Sequence, residues 1–216
     1  MRIEELTEPV ATHGVGPVFL LELKDYLRID HDDLDAELGS LMKAATRAIE
    51  QASGMILMSR SVALWLDRWP AGDASRPPWW DGVQEGAVRD LTGSQDPIAL
   101  AVRPIESLAK IEVFDAAGLA TAIDLSGVHL TTGLDPVLSR SDGHWPNPDR
   151  PSEGIRIEVV AGFGTNPNQV PADLALAVKL LTAHYFLNRG GEPGQPVSGL
   201  PKIVQSLLAP FTRRRV

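Results

Sequence analysis

Hydrophobic residues recur at helical spacing near both ends of the chain. Between about residues 19 and 53 they form two stripes, made of Leu20, Leu23 and Leu27 and then of Leu34, Leu38, Leu41, Met42, Ala45 and Ile49. Gly54 follows and is predicted to end the second helix in a left-handed turn. A third helix is predicted to begin at Pro171 and to end before Gly190-Gly191. Because this third helix is apolar on nearly every face, it is expected to be buried.

In the middle of the chain the hydrophobic period changes to two, which is typical of strands with one buried face. The clearest strands are "SVALWLD", "KIEVFD" and "IRIEVV", and weaker ones are "IALAV" and "VHLTT". A short last helix is predicted around Pro201 to Leu208. The sequence therefore predicts one α+β domain over residues 1–216. Its N- and C-terminal helices (19–54 and 171–211) form a helical bundle, a mostly antiparallel β module (60–164) is inserted, and a basic tail (212–216) follows.

Composition narrows the classes of function. The net charge of −8 over 216 residues argues against a protein that grips nucleic acid through its general surface, since such proteins usually display a broad basic face. The absence of cysteine excludes disulfides, cysteine nucleophiles and thiolate metal sites. The longest apolar-rich stretch, "LALAVKLLTAHYFL", is too short to span a bilayer, and the N-terminus lacks a hydrophobic signal core. We expect a soluble protein with no membrane partner.

An acidic run, "LRIDHDDLDAEL", raises the question of a metal site. An EF-hand calcium loop needs glycine at position six and glutamate at position twelve, and neither register beginning at Asp30 or Asp33 provides them. The alternative is that Asp32 or Asp33 caps the helix that begins with Leu34, where carboxylates also suit the positive end of the helix dipole. We therefore expect a helix cap at Asp32 or Asp33, with no metal and no cofactor, and His31 in an exposed turn.

Other catalytic patterns are weak or absent. The histidines are far apart and the Gly-x-Ser-x-Gly nucleophile elbow is missing. "AGFGTNPN" lacks the third glycine of a dinucleotide loop and the glycine-lysine pair of a Walker loop, so its glycines are expected to turn the chain from the last strand into the Pro171 helix. We predict that the protein is not an enzyme. The open alternative is a small enzyme or ligand-binding module, with His31, Asp32 and Asp33 as its first candidate residues.

Two segments suggest contacts with partners. Trp79 and Trp80 lie in the proline-rich stretch "RPPWWDG", where they either anchor an interface or fold back on their own module. The sequence ends in "RRRV", which is either a frayed terminus or a basic peptide that orders against an acidic partner surface. The preceding "IVQSLLAPF" supplies an apolar anchor for the second interpretation.

Three stretches, in this order, resemble the head–tail connector (adaptor) family of tailed bacteriophages and the related gene transfer agents. They are "LKDYLRIDHDDLDAELGSLMKAATRAIEQASG", "WPNPDRPSEGIRIEVVAGFG" and "VPADLALAVKLLTAHYFLNR", followed by a short final helix. The resemblance covers most of the chain, from about residue 20 to residue 211. The "RPPWWDGVQEG" region is longer than the family pattern.

The resemblance implies a structural role in the neck of a phage or gene-transfer-agent particle, after assembly in the bacterial cytoplasm. Adaptor subunits form a ring, typically of twelve, beneath the portal protein, and double-stranded DNA passes through it without sequence-specific binding. The ring presents a surface to a stopper or tail-completion protein. The implied portal contacts here are Leu207, Leu208, Phe211, Arg213, Arg214 and Arg215. A nearby alternative is that the chain is itself another neck component, a stopper or a tail-completion protein.

Overall fold

The computed structural model describes residues 1–7, 16–70, 97–141, 145–188 and 199–212. The chain divides into two compact units, a β unit (residues 1–8 and 61–161) and a helical unit (residues 9–60 and 162–216). Helices and antiparallel sheets occur together, which confirms the predicted α+β class.

The helical unit contains the predicted helices. Within the described residues they are α1 (Leu20–Leu27), α2 (Asp35–Ser53), α3 (Ala172–Leu187) and α4 (Lys202–Leu208), with short 3-10 turns at Pro167–Gln169 and Ala209–Phe211. Gly54 ends α2 in the left-handed conformation (φ 68°), as its position predicts. Pro171 lies just before α3, at the N-cap, where its missing N–H costs no helical hydrogen bond.

All four helices contribute to one hydrophobic core. The buried positions on α2 fall at the predicted spacing, so that helix presents a single apolar stripe to its neighbours. The buried side chains are Leu23 from α1, Leu38, Met42, Ala45 and Ile49 from α2, Leu174, Ala177, Val178 and Leu181 from α3, and Val204 and Leu208 from α4. Burying each large aliphatic side chain contributes about 1.5–3 kcal/mol. This burial stabilises short helices such as α1 and α4, which would be only marginally stable on their own.

Within its described residues, the β unit contains two sheets. The strands are β1 (Arg2–Glu5), β2 (Arg60–Leu66), β3 (Ile98–Ala99), β4 (Ile105–Phe114), β5 (Ala120–Ala122), β6 (Val128–Thr131), β7 (Val137–Arg140) and β8 (Ile155–Ala161). One sheet has the order β1-β2-β8-β4-β5 and the other the order β3-β7-β6. Ile155, Ile157 and Val159 alternate toward the buried face of β8, as predicted.

The "AGFG" stretch turns the chain out of β8, in agreement with the prediction. Gly162 and Gly164 have φ values of 139° and 138°, which side-chain-bearing residues rarely adopt. A Cβ on Gly162 would lie 2.5 Å from the main-chain nitrogen of Ser59. The Ser59 N–H donates to the Gly164 carbonyl (2.9 Å), so the close approach serves main-chain pairing inside the helical unit.

Candidate interaction surfaces

The acidic run lies in the turn between α1 and α2, where it holds a lysine. The Lys24 side chain is only 9% exposed; its ammonium donates to the Asp32 carboxylate and forms an ion pair with Asp35 Oδ1 at 2.8 Å. The contact with Asp32 raises the pKa of Lys24 most and the contact with Asp35 adds to it, and the Lys24 ammonium lowers the pKa of Asp32. The run therefore closes the α1–α2 turn on itself.

This arrangement corrects the predicted helix cap. Leu34 occupies the N-cap position of α2, and no side-chain hydrogen bond caps that helix start. The Asp32 carboxylate binds Lys24, and only the Asp32 main-chain carbonyl accepts from the Asp35 N–H (3.1 Å). Asp33 and His31 are exposed. Among the described residues, no group of three or more histidine, aspartate or glutamate side chains is arranged to hold a metal ion.

Helix α3 exposes leucines on the side opposite its core face. Leu176 is 41% exposed and Leu187 is 76% exposed. Leu176 and Leu187 share one helical face with Leu180 and Ala183, but Leu180 packs partly against the core and Ala183 is buried. We call the exposed leucines Leu176 and Leu187, together with Leu21 on α1, the leucine stripe. Leu21 is exposed and precedes Glu22, whose carboxylate pairs with Lys179 of α3 at 2.7 Å.

The C-terminal segment is anchored in the core of the helical unit. Leu208 is 2% exposed, whereas Leu207 and Phe211 are partly buried and pack against the same core. The prediction of a portal contact is therefore corrected for Leu208, because a side chain enclosed by its own core has no surface left for a partner. Arg213, Arg214 and Arg215 lie outside the described residues.

Tryptophans in the β unit have separate roles. The Arg2 and Arg156 guanidinium groups lie 5.3 and 5.4 Å from the centroid of the Trp65 ring, and its Nε1 donates to Glu4 at 2.7 Å. The Trp65 ring is thus held by contacts within its own module. Trp79 and Trp80 lie outside the described residues, so both interpretations of that pair stay open.

A second aromatic pair, Trp69 and Trp145, fixes the loop that follows residue 144. Both rings are buried and stack with their centroids 4.6 Å apart. The Trp69 Nε1 donates to the Pro146 carbonyl at 2.8 Å. The stack positions Pro146 and Asn147 at the rim of the pocket described next.

A surface pocket of about 600 Å³ opens beside strand β5. Three carboxylates and one guanidinium line it, together with apolar and amide side chains. The lining residues are Val113, Phe114, Asp115, Thr121, Ala122, Ile123, Asp124, Arg140, Pro146, Asn147 and Asp149. They come from separate stretches of the β unit, and no sequence motif marks them.

Comparison with solved structures finds full-length similarity to chains of gene transfer agent (GTA) particles. A chain from "Neck of empty GTA particle computed with C6 symmetry" is 26% identical with a TM-score of 0.74. One from "Virion of native gene transfer agent (GTA) particle" is 26% identical with a TM-score of 0.73. One from "Neck of native GTA particle computed with C12 symmetry" is 27% identical with a TM-score of 0.70. Each alignment covers 100% of this chain and 97% of the other.

No protein-family model matches the chain, and a comparison with curated proteins finds no match either. Among the residues in the described ranges, no helix has both the length and the apolar character needed to cross a membrane. The similar chains are components of a particle and two of them belong to its neck, so this protein has the fold of a gene-transfer-agent neck component over its whole length.

Proposed function

We propose that this protein is a structural head–tail adaptor in the neck of a gene transfer agent or phage particle. It forms a ring beneath the portal, extends the DNA channel and joins the capsid to the next neck or tail component. The observation that carries this proposal is the similarity, over 100% of the chain, to chains of necks computed with C6 and C12 symmetry. In this role both units act together as one adaptor domain, with helices α1–α4 as the bundle that builds the ring.

The leucine stripe supports contact between copies in such a ring. Neighbours in a cyclic ring meet through two different surfaces, so each copy must offer a patch that the next copy covers. Leu21, Leu176 and Leu187 are exposed large hydrophobic side chains on the helical unit. Burying each one contributes about 1.5–3 kcal/mol, so the stripe suits a second copy of this chain.

The net charge of this protein suits passage of DNA through the ring better than binding of DNA. A net charge of −8 repels phosphate, so double-stranded DNA is expected to pass through the ring without sequence-specific binding. The basic exception is the C-terminal tail, which we propose contacts the portal through Arg213, Arg214 and Arg215. Leu207 and Phe211 remain candidates for the same contact because they are only partly buried.

Another neck component, a stopper or a tail-completion protein, is the second candidate. Full-length similarity to neck chains supports a neck role in general and favours none of these components over the others. The discriminating property is direct binding to the portal, which the adaptor proposal requires.

The test of ring contact uses the double variant Leu176→Asp/Leu187→Asp. Its matched control is Leu119→Asp, which changes another exposed leucine, in the β unit. Native mass spectrometry in the presence of the portal counts the copies bound, and circular dichroism checks folding. We expect a ring, predicted to hold twelve copies, for the parent and the control. For the double variant we expect about a tenfold or larger loss of ring occupancy, since buried carboxylates oppose association. Unchanged ring assembly by the folded double variant would remove the leucine stripe from the interface.

A further inference from the structure

Helix α2 presents an exposed face on the side opposite its core residues. Its buried side chains run from Leu38 to Ile49 along one side of the helix. The exposed positions on the other side follow helical spacing, so they share one face. We call this face the α2 outer face; its residues are Ala36, Ser40, Lys43, Ala44, Arg47 and Gln51.

The leucine stripe and the α2 outer face point away from each other. Helices α2 and α3 pack together through their core faces. On α3 the core face includes Leu174, Val178 and Leu181, and the exposed Leu176 and Leu187 lie on the opposite side. A ring needs two different surfaces on each copy, which meet where one copy follows the next. Two faces that point in opposite directions on one pair of packed helices meet this requirement.

The α2 outer face is suited to being covered by leucine side chains. Ala36 and Ala44 carry only methyl groups, and the Ser40 hydroxyl already donates to the Ala36 carbonyl at 3.0 Å. The aliphatic stems of Lys43 and Arg47 can lie along apolar surface while their charged ends stay in water. Leucines of a neighbour can therefore pack between these stems without leaving the serine hydroxyl or the two charges unsatisfied.

The two faces carry opposite charges at their rims. Lys43 and Arg47 are exposed on the α2 outer face. On α3, Asp173 is exposed one turn before Leu176, whereas Lys179 is already paired with a carboxylate of α1. Complementary charge favours a leucine stripe against an α2 outer face over two stripes against each other, a contact in which the basic groups of α2 would take no part.

We infer that the leucine stripe of each copy packs against the α2 outer face of the next copy, with Asp173 beside Lys43 of that next copy. This contact rests on the proposed function, and it names the surface that receives the stripe. Each contact uses one face of each kind, so the same contact repeats from copy to copy and builds a ring when the rotation between neighbours closes. The occupant of the α2 outer face is therefore a second copy of this chain.

The first test reverses charge on each side of the contact in the full-length protein. Native mass spectrometry counts the copies bound to the portal, and circular dichroism checks folding. Lys43→Glu and Asp173→Lys are each expected to lower ring occupancy about tenfold, and the two changes together to restore it to within about threefold of the parent. Arg68→Glu, an exposed change in the β unit, is the matched control and should assemble like the parent. Single reversals without effect, or losses that simply add in the double variant, would overturn this pairing.

The second test maps the contact by cross-linking, which the absence of native cysteine makes specific. Cysteines replace one exposed alanine on each face, in Ala44→Cys/Ala172→Cys, and a short bismaleimide joins neighbours on the portal. We expect a ladder of covalent multimers, about tenfold or more above the control pair Ala44→Cys/Ala116→Cys, because neighbours hold the two thiols at high effective concentration. A ring that forms without this ladder would overturn the inference and leave the proposed function standing. A parent protein that forms no ring on the portal would overturn both.

Discussion

The Arg60 guanidinium and the Glu50 carboxylate form a two-point ion pair in the helical unit. The two nitrogen–oxygen distances are 3.0 and 2.9 Å, and the side chains are 7% and 11% exposed. Glu50 Oε1 also accepts from the Leu57 N–H at 2.8 Å. One carboxylate on α2 therefore fixes both the segment after the helix and the start of β2.

Removing this carboxylate is expected to destabilise the protein strongly. Glu50→Ala leaves the buried Arg60 charge without its carboxylate, and losing one partner of a buried pair costs about 3–5 kcal/mol. Chemical denaturation followed by circular dichroism measures the free energy of unfolding. The control is Glu22→Ala, which breaks the more exposed pair with Lys179 and should cost about 0–1 kcal/mol. Equal losses in the two variants would show that burial does not decide the cost.

The Lys24–Asp32 pair predicts how stability depends on pH. The pKa of Asp32 is lowered below its usual 3.8, so the stability gained from its ionised form is present above that value and lost as pH falls through the folded-state pKa. The pKa of Lys24 is raised above its usual 10.5, so its contribution is present below that value and lost as pH rises through the higher pKa.

The measurement compares the parent with Lys24→Met across pH. The difference in unfolding free energy should stay level between about pH 5 and pH 9 and shrink at both extremes. A difference that remains constant below pH 3.8 would contradict the pairing.

Gly162 is expected to tolerate no side chain. Gly162→Ala forces a Cβ to within 2.5 Å of Ser59 main-chain atoms at a positive φ, and incompatible backbone substitutions cost more than about 1 kcal/mol. Gly39→Ala is the matched control, since nothing lies within 4 Å of a Cβ at that position in α2. The free energy of unfolding of the control should rise by about 0.5–1 kcal/mol, because alanine has a higher helix propensity than glycine. Thermal denaturation of both variants tests the prediction, and a lowered stability only in the control would refute it.

The basic tail is expected to serve binding and not folding. Replacing Arg213, Arg214 and Arg215 with serine should leave the circular dichroism unchanged, because the described core ends before these residues. Affinity for the portal, measured by biolayer interferometry, should fall at least about tenfold at low salt. Replacement by three lysines keeps the charge and should reduce the affinity for the portal less than replacement by serine. Unchanged portal binding by the serine variant would dismiss the tail as a contact.

Helices and long strands of this fold are predictable from the sequence because their burial is periodic. The stripe from Leu38 to Ile49 and the alternation from Ile155 to Val159 both match the structure. Strand β1 has no such pattern: Ile3 is exposed, and the strand exists through main-chain pairing with β2. Short strands at a sheet edge carry little sequence signal for this reason.

Contacts between residues that are distant in the sequence explain why the predicted helix cap and the predicted contact at Leu208 were wrong. Lys24 lies eight positions before Asp32 and takes its carboxylate, which a local capping rule does not consider. Leu208 occupies a position that looks available in the sequence, yet α4 turns it into the core. The β5 pocket unites residues from 113 to 149, so only the folded chain brings its carboxylates together.

Electron microscopy of the purified protein mixed with the portal of its own particle tests the central claim most directly. The adaptor proposal predicts a dodecameric ring of this protein stacked on one face of the portal, with an open channel along the common axis. A portal that stays bare, or that gains this protein only after another neck component has bound, would contradict direct attachment.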